Sequence, residues 1–244
     1  SSEVPWSSSG NDRFIFENPR ACMVFNGGEL TLVEYGAAKQ PLATLRTEYV
    51  SANLVSLRLA DVKVTGPADG DVVVEPNKKV AYMIDPQTVR VEDLVTGSAV
   101  TTISHERRIA WLELDVHATR LLFRDKSRML HLCDLGAGRE KVTLLNFCSY
   151  VQWVPESGVV VAQSHGNLCV WYNIGAPERV TLIPITGDVV DIVRSGGKTE
   201  VVVDQGMTQD RVQLNEGLIS FAPSLAEREY ERAVEILEAM TLTP

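Results

Sequence analysis

Short apolar runs rich in Val, Leu and Ile recur along this chain at one interval, and no other feature limits its fold as strongly. One set begins at Val80, Arg120, Val159 and Glu200, spaced 40, 39 and 41 residues apart. A second begins at Val89, Met129, Leu168 and Arg211, spaced 40, 39 and 43. A third begins at Ile109, Tyr150 and Val189, spaced 41 and 39. Between the first two sets lie Asp85-Pro86, Asp125-Lys-Ser, His165-Gly166-Asn167 and Gln205-Gly206, turn residues that join two strands as a hairpin. A fourth, more polar run closes three of the units: Val100-Thr-Thr-Ile-Ser, Val142-Thr-Leu-Leu-Asn and Val180-Thr-Leu-Ile-Pro.

Four antiparallel strands in about 40 residues is the repeat of a β-propeller blade of the WD40 type. The expected fold is therefore all-β, with blades over 14–50, 54–104, 105–148, 149–187 and 188–221. Ser104-His105 stands where such repeats often carry Gly-His, and Cys133-Asp134 where they often carry Trp-Asp. The second blade contains an extra stretch, Ala60 to Asn77, whose Asp, Gly and Pro predict a protruding loop. The Ser-rich start, residues 1–13, reads as a linker or loop. Propellers have ~4–8 blades, so the period leaves open whether five close a ring alone.

After Pro223 the period changes. Ala226, Tyr230, Ala233, Leu237 and Met240 recur at helical steps, with Ser224 as N-cap and Glu227 completing a capping box. One helix cannot bury such a stripe alone. Residues 223–244 are expected to open a TPR-like helical solenoid and to pack on its next helix through those five residues.

Composition narrows the function classes. The formal charge of −9 opposes broad binding to nucleic-acid phosphates. Cys22, Cys133, Cys148 and Cys169 lie inside apolar runs with no CxxC or Cys/His spacing, which reads as buried reduced thiols in a cytosolic setting. Neither a glycosylation acceptor nor a signal-peptide pattern occurs, and Ser1 reads as the start of a piece of a longer chain.

The residues point away from catalysis. Gly197-Lys198-Thr199 resembles the end of a phosphate loop, yet Ile192 stands where that loop needs glycine and a strand, not a helix, follows. The four histidines lack metal spacing, and no nucleophile elbow or dinucleotide fingerprint occurs. His105 and Asp125 are expected to meet in the third blade as a structural hydrogen-bonded pair, and Trp111 and Trp153 to serve blade packing at matching points of their repeats. The third blade also concentrates cations. Arg107, Arg108, Arg124, Lys126 and Arg128 form a basic tip suited to an acidic partner or to anionic lipid, while a solvated turn is the plainer alternative. No catalytic residue, metal, cofactor or small-molecule substrate is expected.

Several stretches are more specific than the period. They are RFIFENPRACMVFNGGELTLVEYG from Arg13, TISHERRIAWLELD from Thr102, LLFRDKSRMLHLCDL from Leu121, LLNFCSYVQWVPESGVVVAQ from Leu144, LCVWYNIGAPERVTL from Leu168, GGKTEVVV from Gly196 and LNEGLISF from Leu214. Together they resemble the family of the 172-kilodalton subunit of intraflagellar transport complex B, over about Phe14 to Leu242. That resemblance implies the second of two N-terminal propellers and the first helix of a long solenoid. It further implies a structural subunit of ciliary transport trains at the cilium or flagellum and basal body, contacting other subunits of the complex, with membrane association as a further property of the family. It assigns no contact residue.

Overall fold

The computed structural model describes residues 13–17, 21–34, 40–65, 72–136 and 141–220. Ser1–Asn11 and the helical stripe from Ala226 through Tyr230, Ala233 and Leu237 to Met240 lie outside them. Among the described residues the strands form five antiparallel sheets, and the chain divides into two compact units between Leu144 and Leu145.

The first unit contains three meanders. The first is β1 (Arg13–Glu17), β2 (Ala21–Asn26), β3 (Glu29–Glu34) and β4 (Gln40–Arg46). The second is β5 (Val55–Thr65), β6 (Val72–Asp85), β7 (Thr88–Asp93) and β8 (Ser98–Ser104). The third is β9 (Ile109–Leu114), β10 (Arg120–Asp125), β11 (Leu130–Asp134) and β12 (Lys141–Leu145). Each is the four-stranded unit of a propeller blade. Strand β6 shows why its stretch Val80–Met83 is an unbroken apolar run. Val80 and Tyr82 pack against Ala21, Met23, Leu30 and Leu32 of the first sheet. Ala81 and Met83, which alternate with them, pack with Leu112, Leu114, Leu121 and Phe123 of the third. A strand covered on both faces needs apolar residues at every position.

The second unit holds a four-stranded sheet, β13 (Tyr150–Trp153), β14 (Val160–Ser164), β15 (Asn167–Trp171) and β16 (Thr181–Pro184). Beside it lies a three-stranded one, β17 (Asp188–Ser195), β18 (Lys198–Asp204) and β19 (Gln209–Gln213). Val159, Val161, Leu168 and Val170 of the former share a core with Val189, Ile192, Val201 and Val203 of the latter. A short helix, α1 (216–220), follows β19. Among the described residues no helix is long and apolar enough to cross a membrane.

Two expectations change. The stretch Ala60 to Asn77 is not simply a loop, because β5 and β6 stay paired from Ala60↔Asn77 out to Thr65↔Val72. Val62, Val64 and Val72 to Val74 favour strand, and the turn formers are gathered at 66–71. The apolar run from Arg211 leaves the sheet after Gln213 instead of continuing to Glu216. Asn215 turns the chain, its Oδ1 accepting the Leu218 amide at 3.2 Å, as an N-cap does.

Candidate functional site

The third sheet carries the densest group of buried polar side chains. His105 enters just before β9, Asp125 ends β10 and His131 lies in β11 opposite Phe123. His105 Nε2 stands 3.0 Å from Asp125 Oδ2, and His131 Nε2 stands 3.4 Å from the same oxygen. Asp125 Oδ1 accepts the Met129 amide at 3.0 Å. His131 Nδ1 meets Thr143 Oγ1 at 3.1 Å, and the Lys141 ammonium reaches His105 Nδ1 at 3.1 Å. The Phe123 ring packs 5.0 Å from each imidazole.

The network assigns the protons. An ammonium only donates, so Lys141 makes His105 Nδ1 an acceptor and leaves the ring proton on Nε2, aimed at Asp125. Burial alone would raise the Asp125 carboxyl, but hydrogen bonds from His105, the Met129 amide and His131 outweigh it and hold the group below the usual carboxylate range. For His131 burial dominates and lowers the imidazole, against the pull of Asp125. His105, Asp125 and His131 offer three ligand atoms within 4.8 Å of one another, a spacing that a metal ion could bridge. A ligating His105 Nε2 would need the lone pair that its proton occupies. As arranged, the group ties β9, β10, β11 and β12 together.

Two short segments bring the basic residues to one end of this sheet. The Lys126 amide donates to the Arg108 carbonyl at 2.8 Å, fastening the 126–129 turn to the loop before β9. Arg128 holds a left-handed φ of 66° in that turn. Arg107, Arg108, Lys126 and Arg128 are exposed, whereas Arg124 is half-buried opposite Trp111. The Arg107 guanidinium contacts Met129 Sδ at 2.9 Å, and exposed Glu106 tempers the positive charge.

Trp111 and Trp153 do not occupy matching points. Trp111 is third in β9 and half-buried, while Trp153 is fourth in β13 and buried. By register the buried counterparts of Trp153, which pairs with Val160, are Leu114 in β9, paired with Leu121, and Ile192 in β17, paired with Val201. An offset of one residue puts a side chain on the other face.

The glycines of Gly197-Lys198-Thr199 lie in the β17–β18 turn. Gly196 and Gly197 have φ of 60° and 74°, and Thr199 is fully buried. All four cysteines are free and buried, and burial pushes the Cys133 thiol up to about 11. The residues that sequence reasoning missed are His131, Thr143 and Lys141. His131 is a buried polar residue of β11, visible as inward only once the register is known, whereas Thr143 and Lys141 are exposed positions of β12 that carry no such trace.

No family model matches the chain. It is 49% identical over its whole length to intraflagellar transport protein 172 of Chlamydomonas reinhardtii, and 49% identical over 99% of its length to the homolog of Danio rerio. It is 40% identical over 98% of its length to intraflagellar transport protein osm-1 of Caenorhabditis elegans. The chain spans 13% of the length of each of these relatives. A solved structure of Kluyveromyces lactis Hsv2 aligns at a TM-score of 0.49 with 11% identity, covering 85% of this chain and 69% of that one.

Proposed function

This chain belongs to the intraflagellar transport protein 172 family, matching one segment of it, and from that premise we propose that it is a non-catalytic scaffold module of the intraflagellar transport machinery. In this reading blades fill 14–222, residues 1–13 link them to what precedes, and 223–244 begin a helical solenoid. The module acts by contact with other subunits of the transport complex at the cilium or flagellum and basal body, supporting cilium assembly and cargo transport. The observation that carries the reading is identity of 40–49% sustained over essentially the whole chain with proteins named for this transport. The local chemistry agrees with it. The buried His105, Asp125 and His131 satisfy one another and Thr143. Rigid sheets edged by turns present wide surfaces for protein contacts.

The test uses the full-length protein. Replacing residues 14–213 with a flexible linker should remove a subset of transport subunits from the co-purified complex and shorten or abolish cilia. Unchanged subunit stoichiometry together with normal cilia would overturn the reading.

The exposed cations favour one second reading, a membrane-associating module that meets anionic headgroups through Arg107, Arg108, Lys126 and Arg128. Near an anionic surface each basic residue contributes about 1 kcal/mol. Vesicles containing phosphatidylserine should pellet the protein at low salt and release it when these four residues become Glu. Pelleting that survives the change removes this reading and leaves the first untouched.

A further inference from the structure

In the second unit, one polar cluster joins four separate segments where the chain leaves its last strand. Glu216, the first residue of α1, receives the Arg194 guanidinium on Oε1 at 2.7 Å and the Thr199 hydroxyl on Oε2 at 2.6 Å. Arg194 belongs to β17 and Thr199 to β18, and Thr199 has no exposed surface. The remaining arm of Arg194 donates to the Pro155 carbonyl at 2.7 Å and reaches the Glu156 carbonyl at 3.3 Å, both in the turn between β13 and β14. Beside the cluster the Asn215 amide donates to the Tyr172 hydroxyl at 3.2 Å. Beneath it Leu214 and Ile219, each 2% exposed, insert among Val154, Val201 and Val203.

We infer that Arg194, Thr199 and Glu216 form a latch that makes the exit of the chain from the fifth sheet a rigid joint, holding residues 214–220 docked against that sheet. The geometry suits a latch better than a surface ion pair. Both Glu216 oxygens are engaged, and the planar guanidinium bridges two sheets and a helix start at once. The two charged side chains are about three-quarters covered, at 22% and 25% exposure, so solvent screens them less than an open pair. The Thr199 hydroxyl and the Arg194 guanidinium hold the Glu216 carboxyl below its ordinary range, which keeps the latch charged at neutral pH. Arg194 and Glu216 are positioning residues, and the inference stands whatever partner the module meets.

Hydrogen exchange on the full chain, read by mass spectrometry, tests it. In the wild type the amides of 214–220 should be protected together with β18. In Arg194→Ala, and in the near-isosteric Glu216→Gln, they should exchange at least tenfold faster, while β14 and β15 keep their protection. Arg194→Lys, which keeps the charge but loses the fork, should give an intermediate rate. If either Arg194→Ala or Glu216→Gln leaves 214–220 unchanged, Ile219 alone docks the helix and the latch is refuted. A loss of protection spread equally over β14 and β15 refutes it too, because the cluster would then hold the sheets and not the joint.

Discussion

Replacing Asp125 with Ala should destabilise the first unit more than any ordinary surface change. The carboxylate has no exposed surface and accepts from His105, His131 and the Met129 amide at 3.0, 3.4 and 3.0 Å. Alanine leaves two imidazole N–H groups and one amide without acceptors, each costing about 1–3 kcal/mol when buried. His131 can compensate in part, since Thr143 lies 3.1 Å from its other nitrogen. The net loss should therefore fall in the range of about 3–5 kcal/mol typical of a broken buried pair. At roughly 2–4 °C per kcal/mol for a chain of this size, Tm should fall by about 6–20 °C. Asp125→Asn should cost only about 1–2 kcal/mol, because its carbonyl still accepts one imidazole proton. The assay is thermal unfolding followed by circular dichroism in the sheet band, with the histidine tautomers read from nitrogen-15 chemical shifts. A Tm for Asp125→Ala within 2 °C of the wild type, or His105 carrying its proton on Nδ1, would refute the network.

Burial lowers the His131 imidazole, so the unfolded chain binds a proton that the folded one resists; stability should decline as pH falls below about 6.5, and Asp125, also lowered, should add to the loss below about 3.9. The Tm of His131→Gln should vary less between pH 7 and 5, and equal slopes in the two proteins would contradict this. A Cβ on Gly187 would lie 2.2 Å from the Asp204 carbonyl oxygen at φ +109°, whereas one on Gly97 would meet nothing within 4 Å. Gly187→Ala should therefore cost more than about 2 kcal/mol and Gly97→Ala about 1, measured by urea unfolding, and the reverse order would be fatal to the argument. The four buried thiols should react with a disulfide reagent many times faster in denaturant than in native buffer, and a thiol titrating rapidly in the native protein would show that its strand opens.

The strand repeat was legible because the central stretches of β6, β10, β14 and β18 (Val80–Met83, Leu121–Phe123, Val160–Ala162 and Val201–Val203) are buried at every position and are apolar throughout. The His105 and Asp125 pair was legible because both flank strands at repeat positions. His131 was not, since inwardness depends on register: Phe123↔His131 pairing cannot be read from a run such as Leu-His-Leu-Cys-Asp. Trp111 shows the same limit, one residue separating a half-buried face from a buried one. The exit at Asn215 was hidden because Val212 and Leu214 continue the apolar alternation of a strand past its end. Only Asn215 itself, a residue that caps helices well, hinted otherwise.

The polar fastenings differ from sheet to sheet. The Thr47 hydroxyl, donating to the Met83 carbonyl at 2.7 Å, serves the second sheet, and His105 with Asp125 serves the third. Gln163, which accepts the Val189 amide at 2.8 Å and donates to the Gly187 carbonyl at 3.0 Å, serves the fourth and fifth. One architecture is thus kept by interchangeable local solutions. A mutation that spoils one fastening can be repaired only by residues within reach of it, since its distant counterparts share no atoms with it. Lineages should therefore drift apart in their fastenings one sheet at a time, with compensating changes clustered inside a sheet while the forty-residue cadence endures.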